Sequence, residues 1–273
     1  WYKCYEVFEM EKKKNIRKWL YNIAILFFLG VMIFAACNLI PLLIQDHQDN
    51  ETRKEWDSMV LKKQDQEEQD GTEEEESSEP VVLDPDWASL QSTNPDIVGW
   101  IYIPDPVINY PIVQGSDNEY YLDHSSMRNV NTIGSIFLDA AASSDFSDLN
   151  TIIYGHRMKD HSMFHDLEKY EDESFWKENP YFYIYTPDGR KLSCHIYSAG
   201  IVKDTSSTYL TQFASDEEYQ AFLDDTKRAG AYHTGVEVTT DQRVVTLSTC
   251  TAASDDNRMV VRGVIESEDV VKK

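Results

Sequence analysis

The sequence predicts a mainly β domain that closes, or nearly closes, into a barrel, and three observations carry that prediction. From Ile97 onward the chain offers a succession of short runs rich in Val, Ile, Tyr and Phe. Pro, Gly, Asn and Asp punctuate those runs, and each of these favours a turn for its own backbone reason. Helical patterns are few there, the clearest being Asp216–Arg228. Many short strands with few helices to cover them bury their apolar faces most simply by rolling the sheet onto itself.

The elements follow in order. Residue 1 is Trp, and Met10, followed by Glu11 and the basic Lys12, Lys13, Lys14, Arg17 and Lys18, reads as the initiator, which leaves Cys4 upstream of it. Residues 23–44 are apolar apart from Asn38. At about 1.5 Å per residue this is long enough to cross a bilayer, and a soluble helix of that length normally carries a polar face. The basic residues precede the span and acidic ones dominate after it, so the positive-inside rule puts residues 1–22 in the cytoplasm and exports the rest. The apolar run is long for a cleaved signal. It also continues past Phe34-Ala35-Ala36-Cys37, a weak match to a lipoprotein cleavage box, so an uncleaved signal anchor is expected.

Residues 45–80 hold 14 Asp/Glu against 4 Lys/Arg and almost nothing to bury. Such a stretch cannot offset its ordering entropy, so a solvated tether is expected. Residues 81–273 have the length and apolar content of one domain. Their 15 Lys/Arg against 31 Asp/Glu exclude a nucleic-acid partner and a domain lying on anionic lipid. No internal repeat or Gly-rich phosphate loop is visible.

Within the domain, residues 84–94 read as a short helix and 97–113 as two or three strands broken by prolines. Residues 118–124 form a helical turn, and 133–138 and 151–154 are β-rich. Residues 181–185 and 192–202 are strands joined by a turn at Pro187-Asp188-Gly189. Asp216–Arg228 is an amphipathic helix with Tyr219, Phe222 and Leu223 on one face and acids in the first turn, where they suit the helix dipole.

The most informative stretch is 243–263, RVVTLSTCTAASDDNRMVVRG. Val244, Val245 and Leu247 are mirrored by Met259, Val260 and Val261 across the turn formers Ser254, Asp255, Asp256 and Asn257. Two antiparallel strands here bring Cys250 and Arg258 together at one sheet edge. A guanidinium beside a thiol favours thiolate and stabilises charge developing on a substrate oxygen. Arg262 shares Arg258's side of the strand, farther from the loop, and reads as structural.

TLSTC followed eight residues later by Arg and a Val-Val strand resembles the signature of class B sortases, cysteine transpeptidases that anchor proteins to the bacterial cell wall. The family's upstream histidine is matched by His156 in TIIYGHRM, and the resemblance runs from about residue 84 to 266. It implies an eight-stranded barrel with a helix in the loop before the cysteine's strand. It makes Cys250 the nucleophile, His156 the general acid/base and Arg258 the oxyanion-side cation. Substrate contacts implied by matching positions are Asn118, Leu122, Thr205, Tyr209, Leu210 and Ser248. The implied partners are sorting-motif-bearing surface proteins and a peptidoglycan amine, with no metal or organic cofactor. Some relatives carry an acid just after the cysteine, but Thr251-Ala252-Ala253 stands here, so a Cys-His-Arg set is expected rather than Cys-His-Asp.

From the residues alone, Cys250 is equally a nucleophile, an inert core thiol or half of a disulfide with Cys194. Cys194, mid-strand in KLSCHIY, reads as buried. Tyr121 and Leu122 read equally as core, and Ser248 as a strand hydroxyl bonded to a neighbour. His161-x3-His165 with His156 imitates a metal-ligand spacing, but no acid or thiol in the sequence completes a convincing set. The alternatives are a pilin-polymerising sortase and an inactive, membrane-tethered binding module. A papain-like protease fits poorly, because there the cysteine comes first, whereas His156 precedes Cys250 by 94 residues.

Overall fold

The computed structural model describes residues 18–40, 83–105, 108–252, 254 and 256–271. The chain divides into two units, Trp1–Asp57 and Ser58–Lys273. In the first, α1 (Lys18–Ile40) is a helix of 23 residues, long and apolar enough to cross a membrane. It starts earlier than the apolar run because helical hydrogen bonding continues into the flanking Lys18-Trp19. Residues 1–17, 41–44 and the acidic stretch 45–80 lie outside the described residues.

The second unit is a closed barrel of eight strands. Its first element, α2 (Trp87–Thr93), begins at Asp86, whose carboxylate accepts from Ser89 N at 3.1 Å as an N-cap. The strands are β1 (Ile97–Ile103), β2 (Ile108–Val113), β3 (Ile136–Leu138), β4 (Asn150–Tyr154), β5 (Tyr181–Tyr185), β6 (Arg190–Lys203), β7 (Val244–Cys250) and β8 (Asn257–Val270). Their order around the barrel is β1-β2-β3-β4-β7-β8-β6-β5, and β5 closes back onto β1. All pairs are antiparallel except β2/β3 and β4/β7. The barrel interior is filled by Ile101, Ile112, Ile153, Phe182, Ile196, Leu247 and Val261 among others.

Asp216–Arg228 is a helix with the expected bounds. Counting the short helix α3 (Glu173–Glu178) before it, it is α4. Ser215 Oγ accepts from Glu218 N, and Glu218 accepts in turn from Ala214 N at 2.6 Å, a near capping box. Tyr219, Phe222 and Leu223 bury against Tyr197, Val244 and Val264 on the outside of the barrel. That second cluster explains why β7 is buried on both faces up to its half-buried last residue, Cys250.

The structure departs from the sequence reading in three places. Residues 165–178, where the sequence predicts no element, form a 3-10 segment (His165–Glu171) and α3. The 118–124 turn narrows to a 3-10 turn, Tyr120–Leu122. β8 runs on through the polar stretch 266–270, past the end of the resemblance at about residue 266. Pairing with Arg190–Ser193 and ion pairs from Arg190 and Arg243 to Glu268 hold that acidic end in the sheet.

Candidate active site

Three strand ends converge at one edge of the barrel. The parallel β4/β7 register sets Tyr154 beside Ser248, and Gly155 N donates to Ser248 O at 3.1 Å. Continued by two positions, that register brings His156 alongside Cys250. On the other side of β7, the antiparallel register pairs Cys250 directly with Arg258. His156, Cys250 and Arg258 are each half-buried, reachable by solvent yet flanked by protein. Cys250 and Cys194 are both free thiols. Cys194 points into the barrel, and burial pushes its thiol up far from the thiolate range, which leaves it inert.

His156 is held by its backbone surroundings. Its Nε2–H donates to the Leu122 carbonyl at 2.7 Å, and because a carbonyl only accepts, this bond fixes the tautomer. The 120–122 turn that presents this carbonyl is braced from behind. Ser135 N donates to Tyr121 O at 3.0 Å, and Asn131 Oδ1 accepts from Gly134 N at 2.7 Å. Gly134 sits at φ +64, and a Cβ there would lie 2.6 Å from Leu122 O, 2.7 Å from Tyr121 O and 2.9 Å from the His156 ring. Gly134→Ala therefore both strains the backbone and displaces the carbonyl that orients His156. We expect kcat to fall by about 10²-fold, the cost of a misplacement on the ångström scale. Steady-state kinetics, with thermal denaturation of the same sample to fix the folded fraction, measures this.

Gly155, directly before His156, is a glycine for a different reason than Gly134. It lacks a positive φ, and the constraint is packing: a Cβ would meet Ile136 Cδ1 at 2.5 Å and Phe164 Cδ2 at 2.7 Å.

The six residues matched to substrate contacts fall on three segments. Asn118 and Leu122 belong to the segment beside His156. Asn118 is fixed by Asp139 Oδ2 at 3.0 Å and by Ala140 N at 2.7 Å, and Leu122 leaves 42% of its surface open. Tyr121 beside it is fully buried core, so the ambiguity between the two resolves residue by residue. Thr205, Tyr209 and Leu210 lie on the β6–α4 connection, with Thr205 and Leu210 exposed. Ser248 is buried on β7, and its hydroxyl bonds the Tyr209 phenol at 2.8 Å. Tyr154 stacks on Tyr209 with ring centroids 6.4 Å apart and donates to Asp139 Oδ2 at 3.1 Å. Burial, seconded by Asp139, raises the Tyr154 phenol, and burial also raises Tyr209, so both stay neutral donors.

Arg262 is structural, and its surroundings show how. Fully buried, it bonds Ser198 Oγ at 3.0 Å, Thr208 Oγ1 at 2.6 Å and Thr226 O at 3.4 Å. It thereby ties the end of α4 and the turn carrying Tyr209 to β8.

Sequence reasoning missed the Leu122 carbonyl, Gly134, and the Arg157–Glu168 pair. Arg157 grips Glu168 through two bonds of 2.5 and 2.9 Å. That pairing, helped by a backbone N–H from Ala252, holds the Glu168 carboxyl below its ordinary range. The loop after His156 is thus clipped to the loop after Cys250. A backbone acceptor has no residue signature, and a Gly constrained by distant neighbours looks like any loop Gly.

Comparison with known proteins adds three observations. Residues 101–266 match the family model described as Sortase domain. Sortase B of Listeria monocytogenes is 39% identical over 178 residues, 64% of this chain and 71% of that protein, and sortase B of Staphylococcus aureus is 36% identical over 178 residues, 65% and 72%. Among solved structures, a Staphylococcus aureus sortase B–substrate complex superposes with a TM-score of 0.62 at 36% identity, covering 68% of this chain and 85% of that one.

Proposed function

The chain belongs to the class B sortases, and from that membership we propose that it is a membrane-tethered transpeptidase joining sorting-motif proteins to a cell-wall amine. The observation that carries this reading is the shared edge of β4, β7 and β8, where the strand registers bring Cys250 and Arg258 opposite one another and run on to His156.

The reaction runs in two halves. Cys250 thiolate attacks the carbonyl of a threonine-like residue in the sorting motif, and the Arg258 guanidinium with a nearby backbone N–H holds the oxyanion. The C–N bond breaks, a thioester remains on Cys250, and His156 as imidazolium gives its proton to the leaving amine. With Nε2–H committed to Leu122 O, Nδ1 is the nitrogen that releases and regains that proton. An incoming primary amine then attacks the thioester, His156 takes its proton, and the thiolate leaves. Asn118 and Leu122 line one side of the motif, Thr205, Tyr209 and Leu210 the other, and Ser248 lies beneath. No metal or organic cofactor enters these steps.

Residues 1–22 stay in the cytoplasm, α1 anchors the chain, residues 45–80 hold the domain off the bilayer, and residues 81–273 act outside the cell. The test uses the full chain in detergent micelles, a library of quenched sorting-motif peptides, and a primary amine present or absent. Mass spectrometry should find a thioacyl adduct on Cys250 and an amide product that grows with amine. Hydrolysis indifferent to amine would indicate a protease instead, and no adduct with any peptide would indicate a binding module.

A further inference from the structure

A second cluster of reactive side chains lies in the loop that leaves His156, and the transpeptidation chemistry makes no use of it. His161 and Met163 both adopt left-handed backbone, at φ +66 and +58, and the loop folds back so that Phe164 N donates to His156 O at 3.0 Å. This brings the His161 and His165 rings to a centroid separation of 4.0 Å at 48°. It also draws in Asp166, the acid that sequence reasoning did not assign to the pair, while His156 stays outside the group.

Both imidazoles are tethered through the same nitrogen. His161 Nδ1–H donates to Asp166 Oδ1 at 2.9 Å, and His165 Nδ1–H donates to the Met158 carbonyl. Each ring in its neutral form therefore carries its lone pair on Nε2. His165 is thereby held as metal-binding histidines are, with Nδ1 donating to a carbonyl and Nε2 left to coordinate, whereas at His161 an ion takes the place of the Nδ1 proton between the ring and Asp166.

We propose that His161, His165 and Asp166 bind a borderline transition-metal dication, with Zn²⁺ as the reference ion. A ligand atom from each residue already lies within 4.8 Å of the others. Tetrahedral Zn²⁺ at about 2.1 Å from its ligands needs them about 3.4 Å apart. His161, 68% exposed, can supply that closure, while its open side admits water to complete the shell. Imidazole ligands select Zn²⁺, Cu²⁺ or Ni²⁺ over Ca²⁺ and Mg²⁺, which prefer oxygen. The competing arrangement is an ion-pair cluster, in which Asp166 Oδ2 stays with Lys169 Nζ at 2.9 Å and no ion binds.

The experiment titrates Zn²⁺, with Ca²⁺ as control, into the full chain carrying Cys250→Ala, read by calorimetry. Removing that thiol excludes the transpeptidase centre as the source of binding, so the result is independent of the proposed reaction. One equivalent of Zn²⁺ should bind, Ca²⁺ should not, and His161→Ala or His165→Ala should each weaken Zn²⁺ at least tenfold. His156→Ala should leave it unchanged. Co²⁺ in place of Zn²⁺ should develop visible absorption that both His variants remove. Binding that survives the His161→Ala/His165→Ala double variant, binding lost with His156→Ala, or no Zn²⁺ binding at all would each overturn the assignment.

Discussion

Cys250→Ala should abolish turnover, with initial rates of peptide cleavage falling at least about 10³-fold and no acyl adduct by intact mass. The loss should be complete because no other described thiol can take over. Cys194 is fully buried inside the barrel, and desolvation holds it as a neutral thiol. Cys37 lies on α1, in the other unit of the chain. The fold should tolerate the change, since Cys250 is half-buried at a strand end and its backbone bonds stay intact. Thermal denaturation should therefore match the parent protein. Cleavage that persists in a folded Cys250→Ala sample would move the nucleophile elsewhere.

Arg258→Ala should lower kcat by about 10²- to 10³-fold with a smaller change in KM. Arg258 pairs with Cys250 across β7/β8, and in the proposed reaction charge develops beside Cys250 on the tetrahedral oxygen rather than on the bound peptide. An interaction made mainly in the transition state lowers kcat and kcat/KM together when it is removed. Arg258→Lys keeps the charge but loses the planar fork, so it should recover only part of the rate. A KM increase with unchanged kcat would make Arg258 a ground-state peptide contact and refute its oxyanion role. The measurement is steady-state kinetics on one sorting peptide with saturating amine.

Arg258 and Arg262 show what a sequence can say about two similar residues. Four positions apart on one strand, they share a face, and both pair with β7, opposite Cys250 and Thr246. The sequence distinguishes them only by distance from the loop. Arg258 stays half-buried at the rim, whereas Arg262 lies under α4 and the Ser207–Tyr209 turn, where three oxygens bond its two terminal nitrogens. Which elements cover a strand's outer face is decided by residues far along the chain.

What the sequence determined by itself is local. Turn residues between β-branched runs specified β7, β8 and the edge at which Cys250 meets Arg258, because a hairpin's register depends on a few neighbouring residues. Helical periodicity with a Ser215 cap and an acidic first turn specified α4, and sustained apolar character specified α1. Only the tertiary structure decided how His156 reaches Cys250, since β4 and β7 pair in parallel across a connection holding β5, β6 and α4. Parallel pairing leaves no turn signal and follows from closing the barrel. The same closure brought Leu122 O to His156, with Gly134 behind them. Those contacts join residues whose local sequences carry no mark of one another, and their energy is gained only when the whole barrel is shut.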